Sequence, residues 1–321
     1  MSDNRKKLGF EVLLDKFKSN FGRLILTNLI FALPFGIALC GAYLLDHFLV
    51  HIAPLTLPLV FVLVSPFYPG VVVLTRNFST GKYDKGIFKI YLRAVKENWY
   101  KFLLCGVLLY IACVGGYFSI SGYIAFASGI SWMFYILLFF SVLICLFLLF
   151  MFFCLVLMIP SFELKLKDAF KNSALSVFGE FKECLLSLLS IIVYLAVVLM
   201  PIIVFFNLAG TLTLELVKIL LVSYTVFALL VLIPAPCQFL ICHFIYPKMF
   251  EAVAGEKKAK TEESQNPEIP SVSIDANDKP DGLEELLEGD DEEYIFYNGK
   301  MIKRGLLKKL LKQEQEEDKN E

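Results

Sequence analysis

Long apolar runs alternate with short basic segments along this chain. Six runs, at about 24–46, 54–75, 102–127, 132–159, 184–208 and 216–246, reach the roughly 20 residues that a helix needs to cross a bilayer. Prolines interrupt them: Pro34 in the first, Pro58, Pro66 and Pro69 in the second, Pro201 in the fifth, Pro234 and Pro236 in the sixth. The phrase Ser65-Pro66-Phe67-Tyr68-Pro69-Gly70 is incompatible with a regular helix, because each proline removes a backbone donor and crowds the preceding turn. The pattern predicts an all-α membrane protein with six transmembrane helices arranged as three hairpins.

Each hairpin is preceded by an amphipathic segment. Phe88, Tyr91, Leu92, Val95 and Trp99 form one helical stripe, with Lys85, Lys89, Arg93 and Lys96 off it. Phe10, Leu13, Leu14, Phe17 and Phe21 repeat the spacing. A helix with an apolar stripe, a cationic face and an aromatic at its end rests in the headgroup region. Lys18, Asn20 and Phe21, and Lys96, Asn98 and Trp99, are therefore expected as interfacial anchors. Residues 17–23 align with 95–101, both reading apolar, Lys, x, Asn, aromatic, x, basic. Asp168-Ala169-Phe170-Lys171 resembles Asp15-Lys16-Phe17-Lys18, with Asn172 one place early. The reading is an internal repeat of about 75–80 residues, with units at about 8–75, 83–160 and 163–250. The outer half of the third run is rich in small residues, among them Gly115, Gly116, Ser119 and Gly122, and is expected to pack tightly in the bundle.

Composition agrees with membrane residence: 57% of residues are hydrophobic and the mean hydropathy is +0.67. The net charge of −1 hides a split, since residues 1–250 hold 19 Lys/Arg against 11 Asp/Glu and residues 251–321 hold 11 against 20. Segments before each hairpin carry six, seven and four Lys/Arg, while the loops on the other side carry none. By the positive-inside rule both termini are cytoplasmic. The eight cysteines lie in or beside apolar runs without CxxC or zinc-site spacing, which suits packing. No cleavable signal is expected, because the first apolar run is too long for one and follows an amphipathic helix.

Beyond the membrane domain at 1–250, residues 251–293 read as an acidic, proline-containing, disordered linker. In the last section, 294–321, Asn298-Gly299 between two short β-prone runs signals a hairpin. Residues 305–313 follow as a short basic amphipathic helix.

Catalytic chemistry finds few reagents. HExxH, GxSxG, Walker A and GxGxxG are all absent. Asp46, His47 and His51 lack a further ligand for zinc nearby in sequence. No catalytic, cofactor or metal residue is assigned, and nothing points to nucleic acid. Polar residues inside the runs are Asn28, Asn207, Glu215, Lys218, Gln238 and His243; Glu215 and Lys218 are spaced to pair. Asn28, Gln238 and His243 are the candidate intramembrane polar site, with interhelical hydrogen bonding as the expected role.

Taken together, Phe17-Lys18-Ser19-Asn20, the 65–70 phrase leading to Leu74-Thr75-Arg76, the 88–99 segment, and Asp168-Ala169-Phe170-Lys171-Asn172-Ser173 resemble the YesL family (DUF624) of bacterial membrane proteins. The resemblance covers about residues 8–250; the length and the acidic extension depart from that family. It implies a multi-pass protein of a Gram-positive cytoplasmic membrane. It further implies association with carbohydrate-uptake ABC transporters, without supplying a molecular activity. The functional expectation is a non-enzymatic accessory protein with the bilayer and an ABC-transporter permease as partners, and a cytosolic partner for the tail. The alternative is a small autonomous transporter or channel, suggested by the broken runs two and six.

Overall fold

The computed structural model describes residues 9–81, 86–162, 164–208, 214–254, 294–297 and 300–308. Ten helices and one small sheet account for most of them. They are α1 (Gly9–Leu45), α2 (Ala53–Thr56), α3 (Leu59–Val64), α4 (Tyr68–Ser79), α5 (Ile87–Gly129), α6 (Phe134–Ser161), α7 (Leu166–Gly179), α8 (Phe181–Leu208), α9 (Leu214–Phe227) and α10 (Pro234–Ala254), followed by β1 (Tyr294–Tyr297) and β2 (Lys300–Lys303). Six helical stretches are long and apolar enough to cross a membrane: Glu11–Phe48, Ala53–Ser79, Ile87–Gly129, Phe134–Ser161, Phe181–Phe205 and Glu215–Leu232. The chain is an all-α multi-pass membrane protein.

Two amphipathic segments are not separate elements. α1 and α5 run through as single helices of 37 and 43 residues. At 1.5 Å per residue these are roughly 55 and 65 Å long, well beyond a ~30 Å hydrocarbon core. Only the third segment forms a helix of its own, α7, which stops at Gly179 before α8 begins.

The centre is built from α4, α6 and α10; the sixth apolar stretch ends at Leu232, so α10 is a separate helix and not part of the span expected over 216–246. α4 packs on α10, and both touch α6. Buried residues concentrate there: Val71, Val72 and Leu74 in α4, Phe153 through Ser161 at the end of α6, and Phe239, Leu240, Ile241, Cys242, Ile245, Tyr246 and Met249 in α10. α5 closes over the joint between α3 and α4, where close approach requires glycine twice. A Cβ at Gly70 would overlap the Tyr91 ring, and one at Gly106 would come within 2.9 Å of the Phe61 carbonyl oxygen.

The breaks follow from the prolines. Ser65–Phe67 is a 3-10 turn between α3 and α4, and Ala228–Leu232 is a π-helical turn ahead of α10. Proline cannot donate to the carbonyl four residues back, so each break leaves carbonyls to be satisfied by other groups.

The small-residue half of α5 does not pack tightly. Gly116 has Cys145 Sγ at 3.0 Å from an ideal Cβ, but Gly115, Gly122 and Gly129 face open space. The predicted stripe of the 88–99 segment is split: Phe88, Leu92 and Trp99 are exposed, whereas Tyr91 is buried together with Ala94, Asn98 and Phe102.

β1 and β2 pair antiparallel, from Tyr294 opposite Lys303 to Tyr297 opposite Lys300. The expected turn residues Asn298 and Gly299 lie outside the described residues, as do the linker 255–293 and residues 309–313 of the expected terminal helix. Helix is described over 304–308. β1 lies against α10 and β2 against α6.

Candidate functional site

A polar seam runs through the packed interior, and several of its side chains answer defects left by the helix breaks. At the break before α10, the Val231 carbonyl would normally accept from the Ala235 amide. Asn28 of α1 stands between them instead. Its Nδ2 donates to Val231 O at 2.7 Å, and its Oδ1 accepts from Ala235 N at 2.7 Å. The Leu232 carbonyl would accept from residue 236, a proline without N–H. The Tyr194 hydroxyl of α8 donates to it at 2.8 Å. In the second run Pro66 leaves Val62 O without its helical donor, and Ser65 Oγ supplies one at 2.9 Å. Tyr91 OH donates to Phe67 O at 3.0 Å.

Between α4 and α10 the contact is itself polar. Gln238 is 0% exposed and its Oε1 accepts from Tyr68 OH at 2.8 Å. Gln238 Nε2 points to Cys242 Sγ at 3.6 Å, and Thr75 Oγ1 lies 3.5 Å from the same sulfur. Next along α4 is Arg76, 4% exposed. Its Nη1 donates to Ser161 Oγ at 3.1 Å and to Pro160 O at 3.3 Å. Its Nη2 reaches Asn77 Oδ1 at 3.4 Å, and the guanidinium lies 5.8 Å from the centroid of the Tyr246 ring. Arg76 therefore links the ends of α4 and α6 to the body of α10. Pro160, Ser161, Asn77 and Tyr246 meet it with neutral groups. The C-terminal ends of α4 and α6, each a locus of partial negative charge, converge on the cation and stabilise it.

A second pattern lies along the first helix of each unit. Asn20 Nδ2 donates to Lys16 O at 2.9 Å, Asn98 Nδ2 to Ala94 O at 3.2 Å, and Ser173 Oγ to Ala169 O at 2.7 Å. All three side chains are buried. Bonding back four residues satisfies a polar group within its own helix, so it can be buried against a neighbour. The same register places Leu24, Phe102 and Val177 in the core, and after them Thr27, Cys105 and Glu180. Ser173, not Asn172, occupies the place of Asn20 and Asn98.

Glu180 departs from that polar economy. It is 7% exposed, and its Oε2 has no hydrogen-bond partner. It sits between α7 and α8, where its amide donates to Ser176 O at 2.8 Å. Burial and then the neighbouring Glu183 push its carboxyl up to about 7, against an opposing pull from Lys248.

The expected site residues separate accordingly. Asn28 and Gln238 both lie in the seam. His243 is half-buried beside it, its ring between Phe239, at 6.3 Å, and Phe244, at 5.2 Å. Of the expected anchors, Lys18, Phe21, Lys96 and Trp99 lie toward the surface, while Asn20 and Asn98 are core residues. Glu215 and Lys218 pair at 3.0 Å on an exposed face. Asp46 accepts from Thr56 Oγ1 at 2.7 Å and His47 stacks on Tyr43. Among the described residues no three His, Cys, Asp or Glu side chains are placed to hold a metal ion. Tyr68, Thr75 and Arg76 lie within the phrases quoted from the sequence but are not expected there as site residues, and Tyr194 is not singled out at all. A charge ending an apolar run, and hydroxyls within one, carry no signal for burial by themselves. Compared with known proteins, the chain matches no family model, no curated protein and no solved structure.

Proposed function

We propose that this chain is a non-enzymatic accessory protein of a bacterial cytoplasmic membrane, with both termini cytoplasmic, which binds an integral membrane complex through the sides of its helices. One observation carries the reading. The intramembrane polar groups Asn28, Gln238, Tyr68, Thr75 and Arg76 spend donors and acceptors on holding broken helices together. The lateral faces, by contrast, are bare. Along α8, Leu189, Val193, Val197, Met200 and Val204 are all exposed. Helices in lipid associate through such faces by packing rather than by hydrophobic exclusion. The resemblance to the YesL family points to the permease of a carbohydrate-uptake ABC transporter as the partner. Affinity purification from native membrane in mild detergent tests this. A permease recovered in near-equal amount is the expected result, and a lone protein of reproducible size would overturn the reading.

A second reading, a small transporter, has one observation in its favour. The two broken runs meet face to face, and their contact through Tyr68, Thr75, Gln238 and Cys242 is polar. Discontinuous helices paired at a polar contact are how repeat-built transporters hold substrates. Uptake by purified protein in liposomes, abolished by Gln238→Leu, would move this reading ahead of the first.

A further inference from the structure

Away from the seam, two thiols, a thioether, a hydroxyl and a carboxyl converge where α6, α7 and α8 meet. Cys154 of α6 and Cys184 of α8 are fully buried, and their sulfurs lie 3.9 Å apart. Met158 follows Cys154 by one turn on the same face of α6 and is buried too. Its Sδ accepts from Ser173 Oγ of α7 at 3.4 Å. Glu180 precedes Cys184 by one turn, and the Cys184 amide donates to its carbonyl at 3.0 Å. The Glu180 carboxyl is buried, its Oε2 makes no hydrogen bond, and it lies near enough for its charge to act on Cys154. Thiols by themselves pack well in a core. An unpaired carboxyl oxygen buried beside them calls for a further explanation, and a cation held between the sulfurs supplies one.

The spacing of the thiols suits an ion. At the ~2.3 Å of a metal–thiolate bond, sulfurs 3.9 Å apart subtend about 115° at an ion between them, close to trigonal. Thiolate and thioether ligands select soft ions such as Cu(I), whereas structural zinc takes four ligands. Among the described residues no three His, Cys, Asp or Glu side chains are placed to hold a metal ion. We propose that Cys154 and Cys184 form a binding site for one copper(I) ion, with the Met158 thioether as third ligand. Binding replaces two S–H bonds by two Cu–S bonds. Both protons leave to solvent, and copper stays monovalent, so no electron is transferred. The ion ties α6 to the first turn of α8. This site stands apart from the accessory role proposed above and does not depend on it.

The test uses the full chain in mild detergent with a phosphine reductant, titrated with Cu(I) held on a chromogenic chelator. One Cu(I) per chain is expected to pass to the protein. Cys154→Ala, Cys184→Ala and Met158→Leu are each expected to hold it at least about tenfold less tightly, since even outer-shell partners are worth about 10–100-fold. Cys105→Ala removes a buried thiol on α5 and should bind like the unmodified chain. X-ray absorption at the copper edge needs no variant and is expected to show sulfur neighbours only. No transfer from the chelator, undiminished affinity in both variants of the pair, or nitrogen and oxygen neighbours would overturn the proposal. Recovery of Cys154 and Cys184 as a disulfide from native membrane would overturn it too, assigning the pair to redox chemistry instead.

Discussion

Asn28 and Ala235 stand 207 residues apart in sequence and are joined by a 2.7 Å hydrogen bond from the Ala235 amide to the Asn28 side-chain oxygen. With the bond from Asn28 to Val231 O, the Asn28 amide takes the place of one backbone bond at the start of α10. Asn28→Leu leaves a buried donor and a buried acceptor unpaired. The expected cost is about 2–4 kcal/mol, read as a fall in thermal stability in detergent. Asn28→Asp keeps the acceptor, but an ionised carboxylate there is an unpaired buried charge facing Val231 O, so its loss should be at least as large. Identical melting for all three proteins would remove Asn28 from this role.

Arg76 should not tolerate lysine. The guanidinium reaches Pro160 O and Ser161 Oγ through Nη1 and Asn77 Oδ1 through Nη2 while lying near the Tyr246 ring; an ammonium offers a single nitrogen and cannot span both sides of that fork. Arg76→Met is expected to cost about 2–3 kcal/mol, and Ser161→Ala about 1 kcal/mol. Protease sensitivity at the ends of α4 and α6 reports both. If Arg76→Lys behaves like the unmodified protein, the linking role is wrong.

Glycines divide into two groups. Gly70→Ala and Gly106→Ala force a Cβ into the Tyr91 ring and the Ser65–Phe61 joint, for an expected loss of about 1–3 kcal/mol each. Gly115→Ala and Gly122→Ala meet nothing within 4 Å among the described residues and should leave the melting of the isolated protein unchanged. A defect from these two that shows only in native membranes would place a partner on that face of α5.

Stability should depend on pH through Glu180. Its folded carboxyl titrates near 7, above the ordinary 4.5, because burial and Glu183 disfavour its charge. A raised value means that the contribution is fully present below about pH 4.5 and is lost as the pH climbs through about 7. The difference corresponds to about 3 kcal/mol. Unfolding compared at pH 5 and pH 8 should show this decline, and Glu180→Gln should flatten it. An equal decline in Glu180→Gln would assign the effect to another group.

Six apolar runs are legible in the sequence because bilayer thickness sets helix length directly. The face each helix turns inward is not. Phe88, Leu92 and Trp99 share a stripe with Tyr91, yet only Tyr91 among these four is buried. In water an apolar stripe marks the core; in lipid an apolar residue is content on either side, and buried polar or small residues mark the contact. Asn20 and Asn98 carry that signal but resemble headgroup anchors, since each lies close to a lysine and next to an aromatic. Ser173 escapes the repeat because chemistry, not identity, is kept there: a short polar group that bonds back to Ala169. The end of α6 gives no hint that Pro160 and Ser161 receive a cation from α4, since nothing local records a partner 84 residues away.

The bridge from α1 to α10 also orders events during biosynthesis. At about 5–20 residues per second, Ala235 leaves the ribosome roughly 10–40 s after Asn28. Throughout that interval the Asn28 amide lacks its native partners, while α1 is already hydrophobic enough to enter the bilayer. α10, with Gln238, Cys242 and His243, is a long helix outside the six candidate spans. Its place in the core must be made by helices already inserted, so the centre of this protein closes only after α1, α4, α6 and α8 are in place.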